Sequence, residues 1–311
     1  MATTFKTFLN NDIATARTLL HEAIPITGSI VSGTYGDNNI KNYTHGMFQS
    51  VYDYPYLSSS ANHIFDLTVG VSADAGYTST SITSQFTKKR NIYDQMAQVL
   101  VPYDISGNIR PFDQDGDLNE TGDVKFDDSF FINFSRLLTK DEVKKGTFSV
   151  TFLTGGTLSV LSDQLTIADH GAASSFKVNT PTGEYGLLYT SSATPNDFSS
   201  VGHIYYQAGI IVLTASIFSD YAPDPSQYCE FGAIGASYDT ASYKTVLTAS
   251  TIQAFADGVR NRLQNIDFNN TTELNSTIYF CRVNHNEFNY SSNPSFTSAS
   301  TIVVKNVATD P

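Results

Sequence analysis

Hydrophobic and polar positions along this chain alternate in short runs bounded by turn-forming residues, and that pattern predicts strands over most of its length. The clearest runs are "ITGSIVSGTYG", "IFDLTVGVS", "FSVTFLTG", "LSVLSDQLTIAD", "IYYQAGIIVLTASIF" and "TIYFCRVNH", separated by clusters of Gly, Asn, Asp and Ser. Four stretches carry helical spacing instead. Asn11 can cap a helix through about His21, with Ile13, Ala16, Leu20 and Ala23 on one face and Pro25 as its stop. Tyr93, Met96, Ala97 and Leu100 recur at helical intervals over Asn91 to Leu100, with Pro102 just beyond. "LLTKDEVKKG" offers Thr139 as N-cap, Glu142 at the capping-box position and Gly146 as C-cap. The fourth runs from Ser250 or Thr251 to about Ile266, with Phe255, Val259, Leu263 and Ile266 as its apolar stripe.

Helices between most strands would be needed for βαβ units, and they are missing from this pattern. The expected fold is therefore mainly β, an antiparallel β-sandwich or jelly-roll-like body with a few short helices. The first seventy residues read as a segment of their own, residues 1–70, with a helix and an aromatic stretch suited to attachment or oligomerisation; residues 71–311 form the β-rich body. The polar stretch from Asp74 to Lys89 reads as an exposed loop or long hairpin. No internal repeat at a fixed period is apparent, which argues against propellers and solenoids.

Length and composition fit a protein with a substantial core. The chain has 311 residues, 41% of them hydrophobic, and a mean hydropathy of -0.17. No apolar run approaches the ~20 residues that span a bilayer, and the first residues lack the basic and apolar regions of a secretory signal. A net charge of -12 argues against direct contact with nucleic acid, which requires clustered Lys and Arg. The aromatic load stands out: 18 Tyr and 21 Phe against 15% charged residues. Tyr brings large apolar area with a polar tip, which suits surfaces that pack on other proteins. Phe48, Tyr52, Tyr54 and Tyr56 crowd one stretch around Pro55, and on an extended strand the three tyrosines would project to one side. They are the candidate interface residues, the alternative being that they cover the domain's own core. The two cysteines, Cys229 and Cys281, form no spaced motif and read as buried thiols, with a disulfide between them as the alternative.

Catalytic and metal chemistry is thin. "DQDGDLNETGD" sets Asp113, Asp115, Asp117 and Asn119 at every second position, as calcium loops do. The EF-hand template then needs Gly at its sixth position and Glu at its twelfth, where this chain has Leu118 and Val124, and Asp123 falls one residue early. The expectation is an acidic solvated turn with no bound metal, and no cofactor elsewhere. No G-x-S-x-G elbow nominates a nucleophilic Ser. Asp169 and His170 are adjacent, so a strand would point them to opposite faces. His45 and His63 read as packing or hydrogen-bonding residues. Triplets of N-x-S/T at Asn42, Asn270 and Asn275 reflect the abundance of these residue types.

Whole phrases of the chain resemble virion structural proteins of contractile-tailed phages (myoviruses) that infect marine cyanobacteria. They include "FKTFLNNDIATARTLLHEAIPITGSIVSGTY", "HGMFQSVYDYPYLSSSANHIFDLTVG" and "FFINFSRLLTKDEVKKGTF" in the first half. "PTGEYGLLY", "YYQAGIIVLTASIF" and "NHNEFNYSSNPSFTSAS" continue them in the second. The resemblance implies a tail, baseplate or neck component of the virion, made in the host cytoplasm and working in symmetric copies beside other virion proteins. It implies no active-site residue, no cofactor, no direct nucleic-acid contact and no membrane. It also leads one to expect a further strand where the chain ends in "TIVVKNVATDP". Chain ends such as the N-terminal stretch and "STIVVKNV" suit strand exchange with a neighbour. Two other classes stand beside this expectation: a β-rich module that binds host glycans, weakened by the absence of Trp, and a polysaccharide hydrolase, which would need a paired set of carboxylates.

Overall fold

The computed structural model describes residues 7–27, 37–77, 84–119, 124–153, 164–190, 199–218, 247–248, 250–281, 297–298 and 301–302. Its strands in chain order are β1 (Ile13–Thr27), β2 (Ile40–Asn42), β3 (Gln49–Tyr52), β4 (His63–Val71), β5 (Asp128–Phe134), β6 (Glu142–Val143), β7 (Ser149–Leu153) and β8 (Gln164–Ala168). They continue with β9 (Lys177–Asn179), β10 (Gly183–Leu188), β11 (Gly202–Tyr205), β12 (Ile210–Thr214), β13 (Leu263–Tyr279), β14 (Thr297–Ser298) and β15 (Thr301–Ile302). The helices among the described residues are α1 (Ser84–Leu100), the single turn α2 (Arg136–Thr139) and α3 (Ile252–Arg262). The fold is mainly β, an antiparallel β-sandwich, as the alternation predicts.

Eight strands form one sheet in the order β2-β3-β4-β5-β12-β11-β10-β9, and β1-β13-β7-β8 form the other, with β6 added on β13. Because side chains alternate along β5, its two faces do different work. Phe130 and Phe134 face the second sheet, where Phe130 meets Phe152 at 6.2 Å and Phe134 meets Phe268 at 4.9 Å between ring centroids. Phe131 faces α1 and meets Tyr93 at 6.5 Å. The sheet is thus covered on both sides at these positions, and Phe130, Phe131 and Ile132 follow one another as a fully buried apolar run. Burying each of these rings contributes about 1.5–3 kcal/mol.

Local chemistry fixes how the helix sits. Gly70 on β4 faces Tyr93, and a Cβ there would fall 2.8 Å from the Tyr93 backbone, so only glycine lets α1 approach this closely. The Tyr93 hydroxyl donates to the Phe126 carbonyl at 2.7 Å and accepts from the Phe112 amide at 3.0 Å. Buried Lys89 ties α1 to the segment before α3 by donating to the carbonyls of Leu247 and Ser250, and burial lowers its pKa to about 8.

Four expectations are corrected here. Residues 13–23 form strand, not helix; the predicted apolar face is exposed, because pairing with β13 overrides the helical spacing. Pro25 is tolerated because β1, among the described residues, pairs on one side only. Residues 84–89 of the polar stretch belong to α1, where Phe86 and Lys89 turn inward. The helix expected from Thr139 instead ends there: Lys140 takes a positive φ of 56°, and Glu142–Val143 pair with Thr271 and Asn270. α3 is capped by the Thr251 hydroxyl, which accepts from the Ala254 amide at 3.1 Å, but stops at Arg262. Leu263 and Ile266 then turn inward as strand residues. "ITGSIVSGTYG" lies almost wholly outside the described residues.

The chain divides into two compact units, residues 1–19 with 273–311 and residues 20–272. Residue 70, where the sequence suggested a boundary, lies inside β4 of the larger unit. In the smaller unit the described strands are Ile13–Leu19 of β1, Glu273–Tyr279 of β13, and the β14–β15 pair. The Phe280 amide donates to the Asp12 carbonyl at 2.8 Å and Arg17 pairs with Glu273, an antiparallel order.

Candidate functional site

Phe48, Tyr52, Tyr54 and Tyr56 do not form one stripe. β3 ends at Tyr52, and the chain then turns, with the Asp53 carboxylate accepting from the Asn62 amide at 2.6 Å and the Asn62 side chain at 2.8 Å. These bonds join residues nine apart and close the loop between β3 and β4, which breaks the extended geometry the stripe required. Tyr52 lies against His63 at 5.5 Å and Tyr56 at 6.4 Å, Phe48 lies against Tyr43 at 4.8 Å and His45 at 5.2 Å, and Tyr54 stands 58% exposed.

What the fold brings together instead is a polar network with an aromatic border on the outer part of the larger sheet. Antiparallel register sets Ser50 opposite Asp66 and Tyr52 opposite His63. Asp66 Oδ1 accepts from Ser50 Oγ and lies 2.8 Å from His63 Nε2; Ser50 Oγ is also 3.3 Å from the Tyr43 hydroxyl. Partial burial, with Tyr43 beside it, raises the pKa of the Tyr52 hydroxyl. Ser50 is buried and touches the carboxylate, not the imidazole. The trio is therefore no nucleophile relay, in which the base must contact the hydroxyl.

Beside this network opens a cavity of about 460 Å³. Its floor is the cross-strand pairs Asp66–Asn133 and Thr68–Phe131 of β4 and β5. One wall is α1, through Ile92, Gln95 and Met96, and the lip is His45, Met47 and Phe48. The Thr68 hydroxyl donates to the Met47 carbonyl at 2.6 Å and fixes that lip on the sheet. An apolar hollow with a few polar groups and one carboxylate suits a side chain or a small polar ring. Among its members the sequence singled out Phe48 and His45; Asp66, Asn133 and Met96 become neighbours only through strand register, which no local pattern reveals.

The remaining predicted positions have other surroundings. Asp169 is buried and accepts from the Gly146 amide at 2.7 Å, the Phe148 amide at 3.0 Å and the Tyr206 hydroxyl at 3.0 Å, which makes it a fastener of the 144–148 turn. Burial nonetheless pushes its pKa up to about 6. Oxygens of Asp113, Asp115 and Asp117 converge within 4.8 Å of one another, with Asp113 and Asp115 buried and Asp117 exposed. Burial pushes the Asp113 pKa up to about 6, against the nearby Lys125 ammonium. Asp123 lies outside the described residues, as does Cys229. Cys281 is exposed, not buried as composition suggested, because it follows the fully exposed end of β13. Among the described residues no helix is long and apolar enough to cross a membrane.

A scan against protein-family models, a search of curated proteins and a search of solved structures each found no match to this chain.

Proposed function

We propose that this chain is a structural component of a contractile-tailed phage virion, built in symmetric copies into the tail, baseplate or neck, and that it works by binding other virion proteins, with no turnover of a substrate. One observation carries the reading. In the unit of residues 1–19 and 273–311, Phe8, Leu9, Ile278, Tyr279 and Phe280 are between 49% and 64% exposed. A two-stranded pairing cannot bury either of its faces by itself. Clustered apolar and aromatic side chains left in water mark a surface that another protein covers. The whole-phrase resemblance to cyanobacterial myovirus proteins supports the same assignment, and closed rings of copies are the ordinary way such surfaces are satisfied.

The test is genetic and physical together. Phe280→Ser and Tyr54→Ser should each leave the isolated chain folded, with an unchanged unfolding midpoint. Incorporation into particles should fall roughly tenfold or more for Phe280→Ser, the effect of losing about 1.4 kcal/mol at an interface anchor. Normal incorporation of both variants would contradict the reading. The cavity beside Asp66 favours a second reading, a host-glycan site with Phe48 and His45 as stacking surfaces. Saturable binding on a glycan array, lost in Asp66→Asn, would establish it.

A further inference from the structure

The loop from Asp113 to Asn119 is held at both ends by the body of the larger unit. The Phe126 amide donates to the Phe112 carbonyl at 2.9 Å and the Gln114 amide to the Val124 carbonyl at 3.0 Å, which closes the two flanks into a short antiparallel bridge. The Tyr185 hydroxyl donates to the Gly116 carbonyl at 2.7 Å and pins the loop from β10. Gly116 at φ +66° and Leu118 at φ 63° provide the two left-handed turns that curl the segment. Curling in this way brings alternate side chains to one point, although the spacing fails the EF-hand template.

Three carboxylates at that point present a charge problem that the described protein groups solve only in part. The Asp113 side chain is 1% exposed, and its Oδ2 has no hydrogen-bond partner. Lys125 places its ammonium 3.1 Å from Asp113 Oδ1 and also donates to the Asn119 carbonyl at 2.8 Å, so it divides itself between the carboxylate and the backbone. Asp115 and Asp117 each accept a backbone amide at Oδ1, of Asp117 at 3.1 Å and of Asn119 at 2.7 Å, which fixes both carboxylates beside Asp113. A buried carboxylate oxygen without a donor is costly and calls for a cation. The three carboxylates each bring an oxygen within 4.8 Å of the others, close enough for one cation to bridge them, and three protein carboxylates suit calcium better than magnesium, which keeps several waters and usually takes only one or two.

We propose that Asp113, Asp115 and Asp117 bind one divalent cation of calcium size, which takes the place of the Lys125 ammonium at Asp113. Asp113 supplies the buried anchor through Oδ2, the other two supply one oxygen each, and water completes the shell on the exposed side of Asp117. Lys125 competes with the ion, so the site is tuned to weak binding, in the range of about 10⁻⁴–10⁻³ M seen where few charged ligands contribute.

Terbium serves as the probe, because Tyr185 touches the loop and can sensitise its emission. The chelator-treated full chain should give saturable tyrosine-sensitised emission at one ion per chain, displaced by calcium, with calorimetry giving the calcium affinity directly. Asp117→Asn alters an exposed side chain and so keeps the fold; it should weaken calcium roughly tenfold, whereas Lys125→Gln should strengthen it. Absence of saturable binding up to about 10 mM calcium would overturn the proposal. An affinity unchanged in both Asp117→Asn and Asp113→Asn would overturn it as well, by placing the ion elsewhere. An unchanged or weaker affinity in Lys125→Gln would contradict the exchange with Lys125.

Discussion

The two halves of β13 are one continuous strand under two regimes. From Leu263 to Asn270 inward positions alternate with half-exposed ones, and Ile266 and Phe268 are 0% and 2% exposed. From Leu274 to Tyr279 every residue is exposed, although Leu274, Ile278 and Tyr279 are as apolar as their counterparts. Backbone pairing needs only a neighbouring strand; burial needs a layer across the face. The first half has that layer in β5, through Phe134 against Phe268. The second half bears the side chains of a covered face among exposed positions, which is the physical ground for proposing that it serves assembly.

That contrast makes a quantitative expectation. Phe130, fully buried between Phe152 and Phe218, should lose about 3–5 kcal/mol of unfolding free energy on truncation to Ala, measured by denaturant titration. Phe280→Ser should change the same quantity by no more than about 0.5 kcal/mol. Equal losses at the two sites would mean that Phe280 belongs to the chain's own core, and the contrast would fail.

A smaller effect sharpens the description of the buried regime. His203 sits among the rings of Phe112, Phe126 and Tyr185, and burial lowers its pKa from 6.5 to about 4. The unfolded chain therefore binds a proton that the folded chain refuses between those values, so this group removes stability as pH falls from about 6.5 to 4. The raised carboxyls of Asp113 and Asp169 act in the opposite sense, but they are common to wild type and variant. His203→Phe, whatever its absolute stability, should gain on wild type by on the order of 2–3 kcal/mol as pH drops from 7.5 to 4.5. A difference that stays constant with pH would show that the imidazole is solvated.

Much of the fold was legible because period-two runs such as those of β4 and β7, and the short apolar run of β12, are bounded by clear turn residues. α1 and α3 were legible through Tyr93, Ala97 and Leu100 and through the Thr251 cap. β1 was misread because Ile13, Ala16, Leu20 and Ala23 match helical spacing by chance, and pairing with a partner more than 240 residues away leaves no local trace. Of the candidate site, the aromatic richness was visible but its geometry was not. Asp53 turns the chain after Tyr52, and Asp66 and Asn133 meet only in the register of β4 with β5. The acidic loop is the opposite case: its residues were recognised, but their convergence depends on a curl at Gly116 and Leu118 that a template with fixed spacing does not describe.

The most direct measurement of the central claim uses the thiol beside Phe280. Cys281 is exposed in the isolated chain, so in a Cys229→Ser background it should react with a maleimide at the rate of an open thiol. In purified phage particles carrying the same substitution, the account predicts that the chain is present and that Cys281 is protected until the particles are denatured. A chain missing from the particles, or a Cys281 equally reactive in intact and denatured particles, would contradict it.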